Sequence, residues 1–218
     1  MDKVLIWGCE GGIGRAILSE FDRQGWQVAG VARQITGLSA DADWTYEADF
    51  TDPEQVRVVA EDLRQRNLGF DVFIFAGGDI GAAKVREADP DRWEQILDNN
   101  LTAVFQTLHA SLPLLVEDAH VFLLGAVSER LQLPGLTAYV AAKAGLESMA
   151  VALRKEERRK KFSVIRPGAV DTDLWDKVSF KKPAHTYPPA KVAEKIWQAY
   201  QEGNQGTLDL LGETDTSG

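Results

Sequence analysis

Seven short strand-like runs, separated by stretches whose apolar residues recur at three and four, constrain this chain more than any single residue does. The runs are Val4–Trp7, Gln27–Ala32, Trp44–Glu47, Asp71–Phe75, Val121–Leu124, Phe162–Ile165 and Thr207–Leu211. Several are continuously apolar rather than alternating, as strands covered on both faces are. The clearest intervening pattern holds Trp93, Ile96, Leu97, Asn100, Leu101, Val104, Phe105 and Leu108. Its spacing predicts one helix with these residues on a shared face. Strand alternating with helix along the whole length predicts an α/β fold, a Rossmann-type doubly wound parallel β-sheet of about seven strands flanked by helices.

Composition narrows the function classes. The 218 residues suit one domain spanning 1–218, with no repeat or linker to divide it. A formal charge of −9 leaves no broad basic surface for a polyphosphate and argues against nucleic acid. The single cysteine, Cys9, excludes an internal disulfide and fits a reducing compartment. The apolar opening run is far shorter than the roughly 20 residues of a membrane span. A cytoplasmic protein without a membrane partner is therefore expected. His109, His120 and His185 share no metal-ligand spacing with Cys9, and no metal site is expected. The segment 170–189 lacks a clean period. Its Trp175, Phe180, His185 and Tyr187, interleaved with Lys177, Lys181 and Lys182, read as a substrate loop or lid. The polar tail 213–218 is expected to fray.

Directly after the first run comes Gly8-Cys9-Glu10-Gly11-Gly12-Ile13-Gly14, which opens a helical pattern with Ile17, Leu18 and Phe21. Gly8 allows a tight turn, Gly12 a close approach to a pyrophosphate, and Gly14 a helix–strand contact. A pyrophosphate would lie at the helix N-terminus, where free N–H groups and the helix dipole favour negative charge. Glycines also serve ordinary turns, but strand before and helix after are the context a dinucleotide loop requires. The second run ends Val31-Ala32-Arg33, with no carboxylate for a ribose 2′-hydroxyl and a cation suited to a 2′-phosphate. NADP(H) is therefore expected over NAD(H).

With Tyr139-Val140-Ala141-Ala142-Lys143 the chain resembles the short-chain dehydrogenase/reductase family, over essentially its whole length. The resemblance implies that Gly8, Gly11, Gly12, Ile13 and Gly14 form the cofactor loop. Asp49-Phe50 is similar to the segment beside the adenine, and Ala76-Gly77 to the loop after the fourth strand. Pro167, Gly168, Val170 and Thr172 match the segment lining the nicotinamide. Asn100 matches the helix asparagine that supports a proton relay. Tyr139 would donate the proton, while Lys143 would lower its pKa and hold the nicotinamide ribose. The family also commonly pairs the helices carrying Asn100 and Tyr139, which implies a homodimer or homotetramer.

The chemistry asks for such a pair. Hydride transfer to a carbonyl or imine needs a proton for the developing anion, and a phenol can supply one. An unperturbed tyrosine titrates near ~10, and a lysine four residues on shares its helical face and favours the phenolate.

Three positions depart from the family pattern. Trp7 replaces a small hydroxyl residue, and Ile74-Phe75 stand where two asparagines are common. The catalytic serine's position, thirteen before the tyrosine, is Ala126, with Ser128 the possible substitute two residues on. This combination is similar to the dihydropteridine reductases, which also lack that serine. The relatives in that group carry an acidic residue at the position of Ala32 and an aromatic at that of Asp79. The expected function is an NADP(H)-dependent reductase of a small carbonyl or a cyclic, pterin-like imine. The alternative is a catalytically weak dinucleotide-binding regulatory or scaffold protein.

Overall fold

The computed structural model describes residues 1–37, 42–127 and 133–210. Seven strands run β1 (Lys3–Trp7), β2 (Gln27–Ala32), β3 (Trp44–Glu47), β4 (Phe70–Phe75), β5 (Leu115–Leu124), β6 (Lys161–Pro167) and β7 (Gly206–Leu210). They form one sheet in the order β3-β2-β1-β4-β5-β6-β7, with every neighbouring pair parallel. The central strands are apolar on both faces because both are covered. Val4, Leu5, Ile6 and Trp7 have no exposed surface at all. Each such side chain contributes roughly 1.5–3 kcal/mol by leaving water.

Helices α1 (Gly12–Arg23) and α6 (Pro189–Glu202) cover one face. There Ile17, Leu18 and Phe21 meet Val192, Ala193 and Ile196 over Val4, Ile6, Val72 and Ile74. The edges of Phe21, Trp26 and Trp197 interlock beside them, with centroids 5.2 to 5.8 Å apart. Helices α2 (Pro53–Gln65), α3 (Pro90–Leu97), α4 (Ala103–Ser111) and α5 (Thr137–Glu156) lie on the other side. Val59, Leu63, Val104, Leu108, Leu146 and Ala150 pack there against Leu5, Phe73 and Val121. Local chemistry sets the helix ends: Asp52 accepts from the backbone N–H of Glu54 ahead of Pro53, and Gly203, at φ 65°, closes α6.

Two expectations are corrected. The fifth strand begins at Leu115 rather than Val121, since Leu115 already pairs with Phe70. Exposed Glu117 and Asp118, next to a register shift, hide its first half. The helix around Asn100 is broken by a π-turn over Asp98–Thr102. The wider turn rotates α4 relative to α3, so the eight spaced residues do not share one buried face. Ile96, Val104 and Leu108 are buried, whereas Trp93 is 37% and Phe105 56% exposed.

His120, near the start of the sheet, is buried and stacked on Phe122 at 3.9 Å. Its Nε2 lies 2.8 Å from Ser163 Oγ, which itself donates to the Asn204 carbonyl. Burial, helped by the nearby charge of Lys161, pushes its pKa down to about 3. The unfolded chain therefore takes up a proton near pH ~6.5 that the folded chain refuses until far lower, so acidification through that window favours unfolding. The urea midpoint should fall as pH drops from ~6.5 towards 3, less steeply in His120→Gln than in wild type; identical slopes would contradict this assignment.

Candidate active site

The cleft forms where the chain leaves two adjacent strands towards opposite faces, from β1 into α1 and from β4 towards α3. Gly8 sits at φ +94°, and a Cβ there would stand 2.4 Å from the backbone N of Gly77. A Cβ on Gly14 would meet the carbonyl oxygen of Gly8 at 1.9 Å. Gly12 faces Thr172, whose methyl would lie 2.9 Å from an added Cβ. Helix α1 has Gly11 at its N-cap and no capping side chain, so its first-turn N–H groups open towards this cradle. Such a backbone surface fits a pyrophosphate, which bulkier side chains would keep out.

Below the cradle, the departures at Trp7 and Phe75 have a packing reason. Trp7 meets Phe50 edge-on at 5.5 Å, Phe50 meets Phe75 at 6.0 Å, and Trp7 Nε1 donates to Ser111 Oγ at 3.2 Å. An aromatic wall supports the loops, with the Phe50 ring in the core. Cys9 packs beside Gly30, and burial pushes its thiol up to about 12, so it stays protonated and inert.

Tyr139 and Lys143 lie one turn apart on α5, both buried. The Lys143 ammonium donates to the Leu124 carbonyl at 2.9 Å and stands 5.6 Å from the centre of the Tyr139 ring. Burial alone pushes Tyr139 up to about 12 and Lys143 down to about 8. Without a bound molecule, burial therefore outweighs the expected lowering of the phenol by Lys143. Asn100, at the centre of the π-turn, is fully buried. Its Nδ2 donates to the carbonyls of Asp79 at 2.7 Å and Ile96 at 2.8 Å. Gly78 joins the two groups: an added Cβ would lie 3.0 Å from Asn100 Oδ1 and 3.8 Å from Lys143 Nζ. Tyr139 packs with Ile80, Ile96, Ala126 and Leu136, and Leu174, Val178 and Phe180 approach from the 170–189 segment.

Other expected positions spread along the cleft. Arg33 is exposed at the end of β2, without an ion pair among the described residues. Near it Glu10 accepts from the Thr36 N–H at 2.7 Å and pairs with Arg15. Asp49 Oδ1 accepts from the N–H and hydroxyl of Thr51. Ala76 N donates to the Trp7 carbonyl at 2.7 Å, and Gly168 N to that of Leu210 at 2.8 Å. Pro167 ends β6, Val170 is buried and bridges to Tyr187, and Ile13 packs at the edge of the core. The 170–189 segment carries a 3-10 turn over Asp173–Lys177. Ser128 lies outside the described residues. Ala126, buried against the Tyr139 cluster, offers only a methyl group.

Sequence reasoning assigns no role to Gly78 or Asp79. The doublet Gly77-Gly78 is the one available signal, while the partners of Asp79 lie far away in sequence. Asp79 is buried with Oδ1 2.7 Å from Lys177 and Oδ2 2.9 Å from Arg92. Burial pushes its carboxyl up, but the two cations outweigh that and hold it below the usual range.

A family model described as short chain dehydrogenase matches residues 2–183. The chain belongs to that family. It is 27% identical over 185 residues to an uncharacterized oxidoreductase of Staphylococcus aureus strain MW2, covering 79% of this chain and 80% of the relative. It is also 27% identical over 180 residues to the 3-oxoacyl-acyl-carrier-protein reductase of Escherichia coli K12, covering 78% of this chain and 74% of the relative. Among solved structures, the alcohol dehydrogenase of the archaeon Thermococcus sibiricus, complexed with 5-hydroxy-NADP, superposes with a TM-score of 0.87. That match covers 96% of both chains at 22% identity. The protein is thus an NAD(P)-dependent oxidoreductase with the family's fold. No helix among the described residues is long and apolar enough to cross a membrane.

The glycine contacts give a direct test. Gly14→Ala forces a methyl into the Gly8 carbonyl, an overpacking cost of about 1–3 kcal/mol, or roughly 2–10 °C in thermal midpoint. Dinucleotide binding should be lost with it. In Gly11→Ala the added methyl meets nothing nearer than 3.7 Å, and the midpoint should hold. Equal behaviour of the two variants would refute the tight-turn reading.

Proposed function

We propose that the protein is an NADP(H)-dependent reductase of a small carbonyl or cyclic, pterin-like imine. The observation that carries this reading is the buried Tyr139–Lys143 pair, one turn apart and 5.6 Å from ring centre to ammonium, beside Asn100 and next to the glycine cradle. The dinucleotide, when bound, supplies the hydride. Gly8, Gly11, Gly12, Ile13 and Gly14 receive its pyrophosphate, and Asp49, Phe50, Ala76 and Gly77 border its adenosine half. Pro167, Gly168, Val170 and Thr172 flank the nicotinamide. Tyr139 delivers a proton to the oxygen or nitrogen that gains charge. Lys143 keeps a cation beside that phenol and holds the ribose, and Asn100 supports the relay. The segment 170–189 covers the substrate as a lid of this single domain. The lack of a hydroxyl at Ala126 favours a substrate already electrophilic enough to dispense with one hydrogen bond, such as a quinonoid dihydropterin or a reactive diketone.

Two observations support NADP(H): Arg33 is an exposed cation at the end of β2, and the archaeal structural neighbour carries an NADP analogue. Titration should show tighter NADPH than NADH binding, with most of the gap erased in Arg33→Ala; equal affinities in the unmodified protein would end this part of the proposal. Exposed Trp93 and Phe105, with Val151 on α5, support pairing of like helix faces into a homodimer or homotetramer in the cytoplasm. Sedimentation showing only monomer at micromolar concentration would dismiss that assembly.

The chemical reading is tested by NADPH oxidation with quinonoid dihydropterin and with reactive diketones. Tyr139→Phe keeps the packing ring and should keep NADPH binding, while turnover falls about 10²–10⁴-fold, the usual worth of a positioned general acid. Wild-type turnover that Tyr139→Phe leaves unchanged would remove the mechanism. No turnover across a broad panel would favour the second reading, a dinucleotide-binding regulatory protein, which the methyl group of Ala126 motivates.

A further inference from the structure

Asp79 occupies an unusual junction. Its carbonyl accepts from Asn100 Nδ2 at 2.7 Å, and its N–H faces Asn100 Oδ1 at 3.4 Å, so its backbone is tied to the π-turn. Its carboxylate points the other way, to Lys177 at 2.7 Å and Arg92 at 2.9 Å. Lys177 ends the 3-10 turn of the 170–189 segment, 98 residues further along the chain. Arg92 belongs to α3 and is steadied by the Ile80 carbonyl at 2.9 Å and by Gln95. The segment's own apolar residues, Leu174, Val178 and Phe180, rest on the cluster of Ile80, Leu136 and Tyr139.

An acidic side chain that is only 10% exposed is costly unless paired, and here both carboxylate oxygens are engaged by cations. Lys177, by contrast, is 51% exposed at its side chain, and water could solvate its ammonium if the segment moved away. Arg92 stays on Oδ2 whatever the segment does, so the cost of leaving Oδ1 of Asp79 without its cation falls on the segment that brings the lysine. Nearby, Lys182 is tied to Asp171 within the segment itself at 2.7 Å and anchors nothing to the core. Among the described residues, Lys177 is the only charged side chain of the segment that reaches an acidic group outside it.

We propose that Asp79 is a positioning residue that latches the substrate segment through Lys177, with Arg92 as the fixed member of the triad. Holding the segment over the apolar cluster around Tyr139 and holding the Asn100 turn then depend on the same residue. The inference rests on the proposed reading of Tyr139 and the residues packed around it as the substrate site.

The test is a double-mutant cycle on the full-length protein with NADPH bound, using Asp79→Asn, Lys177→Met and the pair. Hydrogen–deuterium exchange of residues 173–180 reports the segment directly, and KM with kcat for a turned-over diketone or dihydropterin reports its use. Lys177→Met should speed exchange in 173–180 and raise KM about fivefold, the scale of a partly exposed ion pair, with kcat and NADPH affinity within about twofold. The double variant should be no worse than the worse single one, because either change opens the same latch. Lys177→Arg should restore most of the loss. Wild-type exchange and KM in Lys177→Met, or fully additive effects in the double variant, would overturn the latch. Should Asp79→Asn fail to fold, Lys177→Met and its arginine counterpart decide the matter alone. If no substrate is turned over, the proposed activity fails, while the exchange rates still decide the latch.

Discussion

The passage of Gly8 against Gly77 is the contact on which the site depends. Two backbone segments from the ends of β1 and β4 come so close that a single Cβ would stand 2.4 Å from a peptide nitrogen. Side chains cannot enter, so the cleft between the diverging connections has a floor of backbone. A parallel sheet whose chain leaves neighbouring strands towards opposite faces always opens a crevice there. What this sequence adds is the support beneath it. Trp7, Phe50 and Phe75 build an apolar wall where the family pattern has polar residues at two of the three positions. Trp7 keeps its one N–H satisfied through Ser111. The loop's position is thereby set by packing rather than by a network of side-chain hydrogen bonds.

Burial also governs the proposed chemistry. A phenol pushed up to about 12 and an ammonium pushed down to about 8 are buried one turn apart on α5. Each alone is held in its neutral direction, and the Leu124 carbonyl helps keep the ammonium there. A phenol of that kind remains protonated across the physiological range, which suits a donor that acts in the direction of reduction. It gains from the nearby cation only when charge begins to develop on it. In the proposed reaction the methyl group of Ala126 supplies no hydrogen bond, so more of the work would fall to Tyr139.

The central strands are legible in the sequence because parallel strands covered on both sides must be apolar, and β2 matches its expected bounds residue for residue. The edge strand β3 matches as well, through alternation rather than full burial. The first half of β5 is not, since exposed Glu117 and Asp118 interrupt the run and the pairing of Leu115 with Phe70 is a tertiary fact. Helical spacing around Asn100 predicts one continuous stripe. A π-turn leaves no mark in apolar periodicity, so the exposure of Trp93 and Phe105 emerges only in three dimensions. The glycine loop and the Tyr139–Lys143 pair are legible because each is local, a run of seven residues and a spacing of four. Asp79 is illegible for the opposite reason. Its meaning depends on Lys177, which local pattern reading cannot connect to it.

The most direct test of proton delivery by the buried pair is the single-turnover rate of NADPH oxidation between pH ~6 and ~10, at saturating NADPH and substrate. As pH rises, Lys143 loses its charge while Tyr139 stays protonated, so the wild-type rate should fall above about pH 8. In Lys143→Met the rate should be low and flat over the same range, because no cation remains to be lost. A wild-type profile that is flat and superimposes on that of Lys143→Met would contradict the role assigned to the pair.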